Sequence, residues 1–88
     1  MHTATKQAIF AQVAKAKLIY VKNKETYKVV IAFNVTETNK NGKLKFPTQK
    51  QCNYVSGDIA YETLQKDVAR TVEHAKKVLR TDNIVFVD

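Results

Sequence analysis

Thr26-Tyr27-Lys28-Val29-Val30-Ile31-Ala32-Phe33-Asn34-Val35-Thr36 is the stretch whose reading decides the fold. Tyr27, Val29, Ile31, Phe33 and Val35 alternate with Lys28, Val30, Ala32, Asn34 and Thr36. Period-two alternation built from β-branched and aromatic residues marks a strand with one face on a core. Upstream, Leu18-Ile19-Tyr20-Val21 is separated from it by the polar Lys22-Asn23-Lys24-Glu25, which predicts an antiparallel hairpin. Downstream, Thr38-Asn39-Lys40-Asn41-Gly42 ends in an Asn-Gly pair able to supply the positive φ values of a tight turn, so a second hairpin is expected. Its returning strand is read from Lys43, with Leu44, Phe46, Cys52 and Tyr54 on an apolar side and Lys43, Lys45, Gln49, Gln51 and Asn53 on a polar one. Pro47 has no N–H for a ladder, so this third strand lies at an edge or bends there.

Two helical patterns flank the strands. Thr3 to about Lys17 is rich in good helix formers, with Ile9, Val13 and Ala16 at helical spacing and Thr3 or Thr5 as cap. The competing reading of its end runs a strand backwards from Leu18 into Ala14 and Ala16. Ser56-Gly57-Asp58 offers an N-cap for a long amphipathic helix carrying Ile59, Leu64, Val68, Val72, Ala75 and Leu79, widened by Ala60, Ala69 and Val78. Asp58 and Glu62 near its start and Lys76, Lys77 and Arg80 near its end suit the helix dipole. Ile84-Val85-Phe86-Val87 is apolar on both faces, which predicts a strand inside a sheet and free to pair in parallel through a right-handed crossover. The expected architecture is one α+β domain over 1–88, a two-layer sandwich of order α-β-β-β-α-β. Its sheet is four-stranded and mostly antiparallel, with both helices on one face.

Composition supports a folded, single unit. Apolar residues at 44% and charged residues at 26% lie far from the low-hydrophobicity, high-charge balance of disordered chains. The longest apolar run is five residues, Val29 to Phe33, against the roughly 20 that a membrane-spanning helix needs. A lone cysteine, Cys52, cannot pair within the chain, and the N-terminal residues lack a secretory core, so a cytoplasmic setting is expected.

The charge is unevenly placed. Residues 1–53 carry ten lysines against two glutamates, a balance of +8, while residues 54–88 carry five cations against six acids, a balance of −1. Such asymmetry points to an anionic partner met by the N-terminal elements.

Catalytic chemistry finds little to work with. Cys52, His2 and His74 are the soft metal ligands and none is paired at ligand spacing; no metal or other cofactor is implied. Ser56 reads as a helix cap and Cys52 as a small inward apolar residue, and Gly42 and Gly57 belong to no phosphate-cradling loop. The expectation is a non-enzymatic binding module.

Its surface would be the outer face of the second and third strands. Lysines can meet phosphate oxygens while Asn and Gln side chains can bond base edges, a mixture suited to DNA or RNA. The residues singled out are Lys28, Lys43, Lys45, Gln49, Lys50 and Gln51 on the face, with Lys22, Lys24 and Lys40 at the hairpin tips. Any solvated strand face carries similar residues. Thirteen lysines against two arginines also fit a small inhibitor or adaptor that meets an acidic protein surface, because arginine is the better bidentate phosphate ligand. Val30 and Ala32, apolar on the otherwise polar face, raise the further expectation of a homodimer.

The helix–strand–strand–strand–helix order resembles the double-stranded-RNA-binding domain. That family opens its second helix with a basic Ser-Lys-Lys-like turn, where this chain has Ser56-Gly57-Asp58-Ile59 followed by Glu62, and Ile84–Val87 is foreign to it. Thr26 to Leu79, with Asn41-Gly42-Lys43-Leu44-Lys45 at the turn, is similar in layout to the arm-site DNA-binding modules of phage integrases, whose sheet enters the major groove. The aromatic residues of the RNA-recognition motif are missing from the strands. The chain is assigned to none of these.

Overall fold

A computed structural model describes residues 13–87. Among the described residues, four strands, β1 (Ala14–Val21), β2 (Thr26–Phe33), β3 (Tyr54–Val55) and β4 (Ile84–Phe86), form one sheet, and one α-helix, α1 (Leu64–Leu79), precedes β4. The strand order is β3-β2-β1-β4. β2 runs antiparallel to both of its neighbours, whereas β4 lies parallel to β1. The fold is α+β with a mixed, mainly antiparallel sheet, as the pattern predicts.

The β1–β2 hairpin is the centre of the sheet. Its register runs from Ala14 opposite Phe33 to Val21 opposite Thr26, closed by the turn at Lys22–Glu25. One face carries Ala14, Ala16, Val29 and Ile31, which pack with Ile59 and Ala75 into the buried core, flanked by Tyr27, Phe33, Tyr54, Leu64, Val68, Leu79 and Ile84. α1 leans toward β2 and β3, where the His74 ring meets Tyr54 edge-on at a centroid distance of 5.9 Å. A helix about 10 Å wide covers roughly two strands spaced about 4.8 Å apart. Among the described residues the helix leaves the β1–β4 half of the face uncovered, and Leu18, Phe86, Leu64, Val68 and Val72 line an apolar groove of about 540 Å³ there.

Five expectations change. The helix read over Thr3 to Lys17 is replaced by strand from Ala14 onward, and its residues 3–12 lie outside the described residues. Ala14 and Ala16 are fully buried in one core cluster with Ala75, where burial between packed layers favours small residues and overrides the helical preference of alanine. β4 is an edge strand, not an interior one, and leaves Val85 51% and Phe86 43% exposed.

The third strand does not begin at Lys43. Backbone from Asn34 to Asn53 leaves the sheet, forms a small hairpin bridged at Thr38 and Leu44, passes a 3-10 turn at Gln49–Gln51, and returns as the two-residue β3. Asn34 starts this excursion in the left-handed region, at φ 61°, where asparagine is better tolerated than most side chains.

Val30 and Ala32 are 3% and 2% exposed, so the outer face does not present the apolar patch on which the homodimer expectation stood. They lie beside Lys17, Val55 and Lys15 in the register, and the Lys15 ammonium donates to the Val35 carbonyl at 2.7 Å. The outer face is thus not uniformly wet.

Finally, Ser56-Gly57-Asp58 does not cap the helix. Ile59 bridges Tyr27, a 3-10 turn occupies Tyr61–Thr63, and α1 begins at Leu64. Ser56 is buried, and its hydroxyl accepts the Val29 N–H at 2.8 Å while donating to the Gly57 carbonyl at 2.8 Å. Ser56→Ala would strand a buried N–H, and we expect a loss of about 1–3 kcal/mol in urea unfolding. A loss below the uncertainty of the measurement would mean that water replaces the hydroxyl.

At the other end α1 stops on Arg80, which adopts φ 54°, and the Thr81 N–H donates back to the Lys76 carbonyl at 3.2 Å. This helix stop normally employs glycine, because a Cβ in that region costs roughly 1–2 kcal/mol. Arg80→Gly is expected to raise the melting midpoint, with a gain of about 1 kcal/mol; an unchanged or lowered midpoint would show that the arginine side chain offsets its own strain.

Candidate functional site

The lysines singled out from the sequence separate into two groups at opposite ends of β2. Lys22, Lys24 and Lys28 lie at or near the β1–β2 turn, whereas Lys40, Lys43, Lys45 and Lys50 belong to the excursion that leaves after Phe33. Eight strand residues span roughly 23 Å between those ends.

Electrostatics distinguishes the groups. Asp58 bridges Lys24 at 3.3 Å and Lys28 at 3.7 Å, and Glu25 and Glu62 are close in sequence to the same turn and the helix start. Local charge near the tip is largely cancelled. In the excursion the four lysines are exposed and Glu37 is the single acid in residues 34–53. The third ion pair among the described residues joins Lys76 to Glu73, so none of the four is paired.

Local backbone chemistry fixes the excursion. Asn39 is its pivot: the side-chain oxygen accepts the N–H groups of Asn41 and Lys43 at 2.9 and 3.1 Å, and its carbonyl accepts the Gly42 N–H at 3.0 Å. Gly42 takes φ 78°, the conformation expected of the Asn-Gly turn. The Lys45 N–H donates to the Glu37 carbonyl at 2.8 Å, which sets the two ends of the hairpin side by side. Farther on, the Thr48 N–H donates to the Gln51 side-chain oxygen at 3.2 Å, and the Gln51 N–H donates to the Thr48 carbonyl at 2.9 Å. That closure orients Gln49, Lys50 and Gln51 on one exposed turn. The excursion is tied to the sheet where Asn53 accepts the Phe33 N–H on its side chain at 3.0 Å and donates its own N–H to the Ile31 carbonyl at 2.9 Å.

Between the excursion and the end of β2 lies a cavity of about 410 Å³, lined by Phe33, Glu37, Lys45, Phe46, Thr48 and Gln51 among others. Sequence reasoning had placed Lys45 and Gln51 on a flat strand face and did not single out Phe46 or Glu37 as binding residues. The signal was the Asn39–Gly42 turn followed by Pro47, which breaks a continuous strand. A second feature missed was a tyrosine cluster at the opposite end, where Tyr20 and Tyr27 have centroids 5.1 Å apart and Tyr27 and Tyr61 6.4 Å apart.

The candidate nucleophiles are placed structurally. The Cys52 thiol donates to the Pro47 carbonyl at 3.8 Å, and burial pushes its pKa up, which disfavours the thiolate. Ser56 is occupied as a backbone partner and His74 packs on Tyr54. Among the described residues no three His, Cys, Asp or Glu side chains converge as a metal site, and no helix is long and apolar enough to cross a membrane. Comparison with protein-family models, curated proteins and solved structures finds no match to the chain.

Proposed function

We propose that the protein is a small nucleic-acid-binding module that works through the basic excursion at 37–51. The observation that carries this reading is the group Lys40, Lys43, Lys45 and Lys50, exposed and making no ion pair among the described residues, around one short hairpin and turn. Unpaired lysines on a projecting loop can approach phosphates without first breaking an ion pair, and displacement of the phosphate counterions then drives association. Gln49 and Gln51 on the same turn supply neutral donors and acceptors able to meet base edges. Lys22, Lys24 and Lys28 are removed from the primary surface, since their turn is offset by Asp58 and Glu25.

A second reading, a protein-binding adaptor or inhibitor, is favoured by the β4 edge. Its sequence Ile84-Val85-Phe86 carries no charge to blunt it and adjoins the apolar groove, the kind of edge to which a partner strand can add. Titration of fluorescent DNA and RNA at two salt concentrations distinguishes the readings. Nucleic-acid binding predicts affinity that falls steeply with salt, by about 0.7–0.9 in log K per log salt for each phosphate neutralised. Absence of binding to both polymers at low salt would overturn it in favour of a protein partner.

A further inference from the structure

Resting on that reading, we infer that the cavity between the excursion and β2 takes one unstacked nucleobase, so that the ligand is single-stranded nucleic acid. The cavity's volume of about 410 Å³ falls within the range of small-ligand pockets, roughly 300–1,000 Å³. Its walls supply two aromatic rings, Phe33 and Phe46, both half-buried and so held in place while still reaching the cavity. Single-strand recognition characteristically sets a splayed base against an aromatic side chain and reads its exposed edge by hydrogen bonds.

The polar rim matches such an edge. Gln51 has its side-chain oxygen committed to the Thr48 N–H, which turns the remaining amide N–H groups into the donors on offer. The Glu37 carboxylate makes no ion pair among the described residues and is an acceptor for a base amino group. Lys45 lines the same cavity, with Lys43 two residues away on the hairpin and Lys50 on the adjoining turn, placing cations where the flanking phosphates of a strand would run. A carboxylate inside a lysine-rich lobe works against a phosphate in the cavity and favours a neutral group with amino hydrogens. Bases within a duplex are stacked and paired and cannot enter.

The test uses the full chain with oligonucleotides of about 16 nucleotides, the upper end of single-domain site sizes, as DNA and RNA single strands and as the matching duplexes. Anisotropy at one low salt concentration should give single strands roughly tenfold or more the affinity of duplex. Phe46→Leu, which keeps apolar volume and removes the ring, should lower single-strand affinity roughly fivefold to a hundredfold while leaving duplex affinity and the urea midpoint nearly unchanged. Glu37→Gln should alter the ranking among homopolymers. Equal affinity for duplex and single strand, or an unchanged Phe46→Leu variant, overturns the base-pocket inference and leaves nucleic-acid binding standing. No binding to any of the probes overturns the function itself.

Discussion

Replacing Lys40, Lys43, Lys45 and Lys50 together by glutamine is expected to lower nucleic-acid affinity by about 100-fold or more at low salt. It should also reduce the salt slope by about 3, since each lysine that neutralises a phosphate contributes about 0.7–0.9. Lys22→Gln with Lys24→Gln is the contrasting variant. Both remove charge from a hairpin tip, yet the Lys24 ammonium already faces Asp58 at 3.3 Å, so the pair should change affinity and slope little. Anisotropy titrations over a salt series measure both quantities in one experiment. A double variant that lost about half as much in log affinity and in slope as the quadruple one, in proportion to the charge removed, would show that net charge, and not the excursion, governs binding. All six lysines lie on exposed turns or loops, and exposed pairs contribute little to stability, so the variants should fold alike.

Ile31→Ala carries the largest expected loss of stability. Ile31 has no exposure and sits in the middle of β2, between Ala16 on one side and Tyr54 on the other. Deleting a buried isoleucine to alanine removes transfer free energy and leaves a cavity, together about 2–5 kcal/mol. A domain of this size has a total stability of about 5–15 kcal/mol, so the variant should unfold at a much lower urea concentration with an unchanged slope. A loss below about 1 kcal/mol would place the true core elsewhere. The small size of the neighbouring Ala14, Ala16 and Ala75 limits how far the surroundings can collapse onto the vacated space.

β2 was legible because its alternation records a real asymmetry: Val29 and Ile31 meet the core side. Even there the record is incomplete, since Val30 and Ala32 on the other face are buried too. β1 was ambiguous because Ala-Lys-Ala-Lys satisfies both periods, and the deciding influence, the nearness of Ala75, lies 59 residues beyond Ala16 in the chain. β3 was misplaced because two residues are too short to leave a periodic trace, while Leu44 and Phe46 imitated one. Ser56 was read by its usual local role, whereas its partner is the Val29 N–H 27 residues away.

The candidate site followed the same division. Its lysines could be counted from sequence, but their grouping could not. Asp58 neutralises Lys24 across a separation of 34 residues, and that pairing turned one supposed face into a compensated tip and an uncompensated loop. The cavity beside Phe46 required the chain to leave the sheet at Asn34, a departure that the Asn-Gly turn suggested without locating.

The geometry of that departure has a bearing on how the protein could change over evolutionary time. Asn34 and Asn53 bound the excursion at neighbouring points of the sheet, joined through Phe33 and Ile31. Closing a loop between fixed, adjacent ends becomes only slightly harder as it lengthens, by about 0.6 kcal/mol per doubling. Apart from the attachment at Val35, which is buried and receives the Lys15 ammonium on its carbonyl, the hairpin tip and the turn at Gln49–Gln51 contribute no buried side chain. Residues there can be inserted, deleted or exchanged at small expense to the hairpin and helix beneath. The scaffold can therefore stay constant while the segment between Asn34 and Asn53 diversifies, much as a handle accepts interchangeable blades.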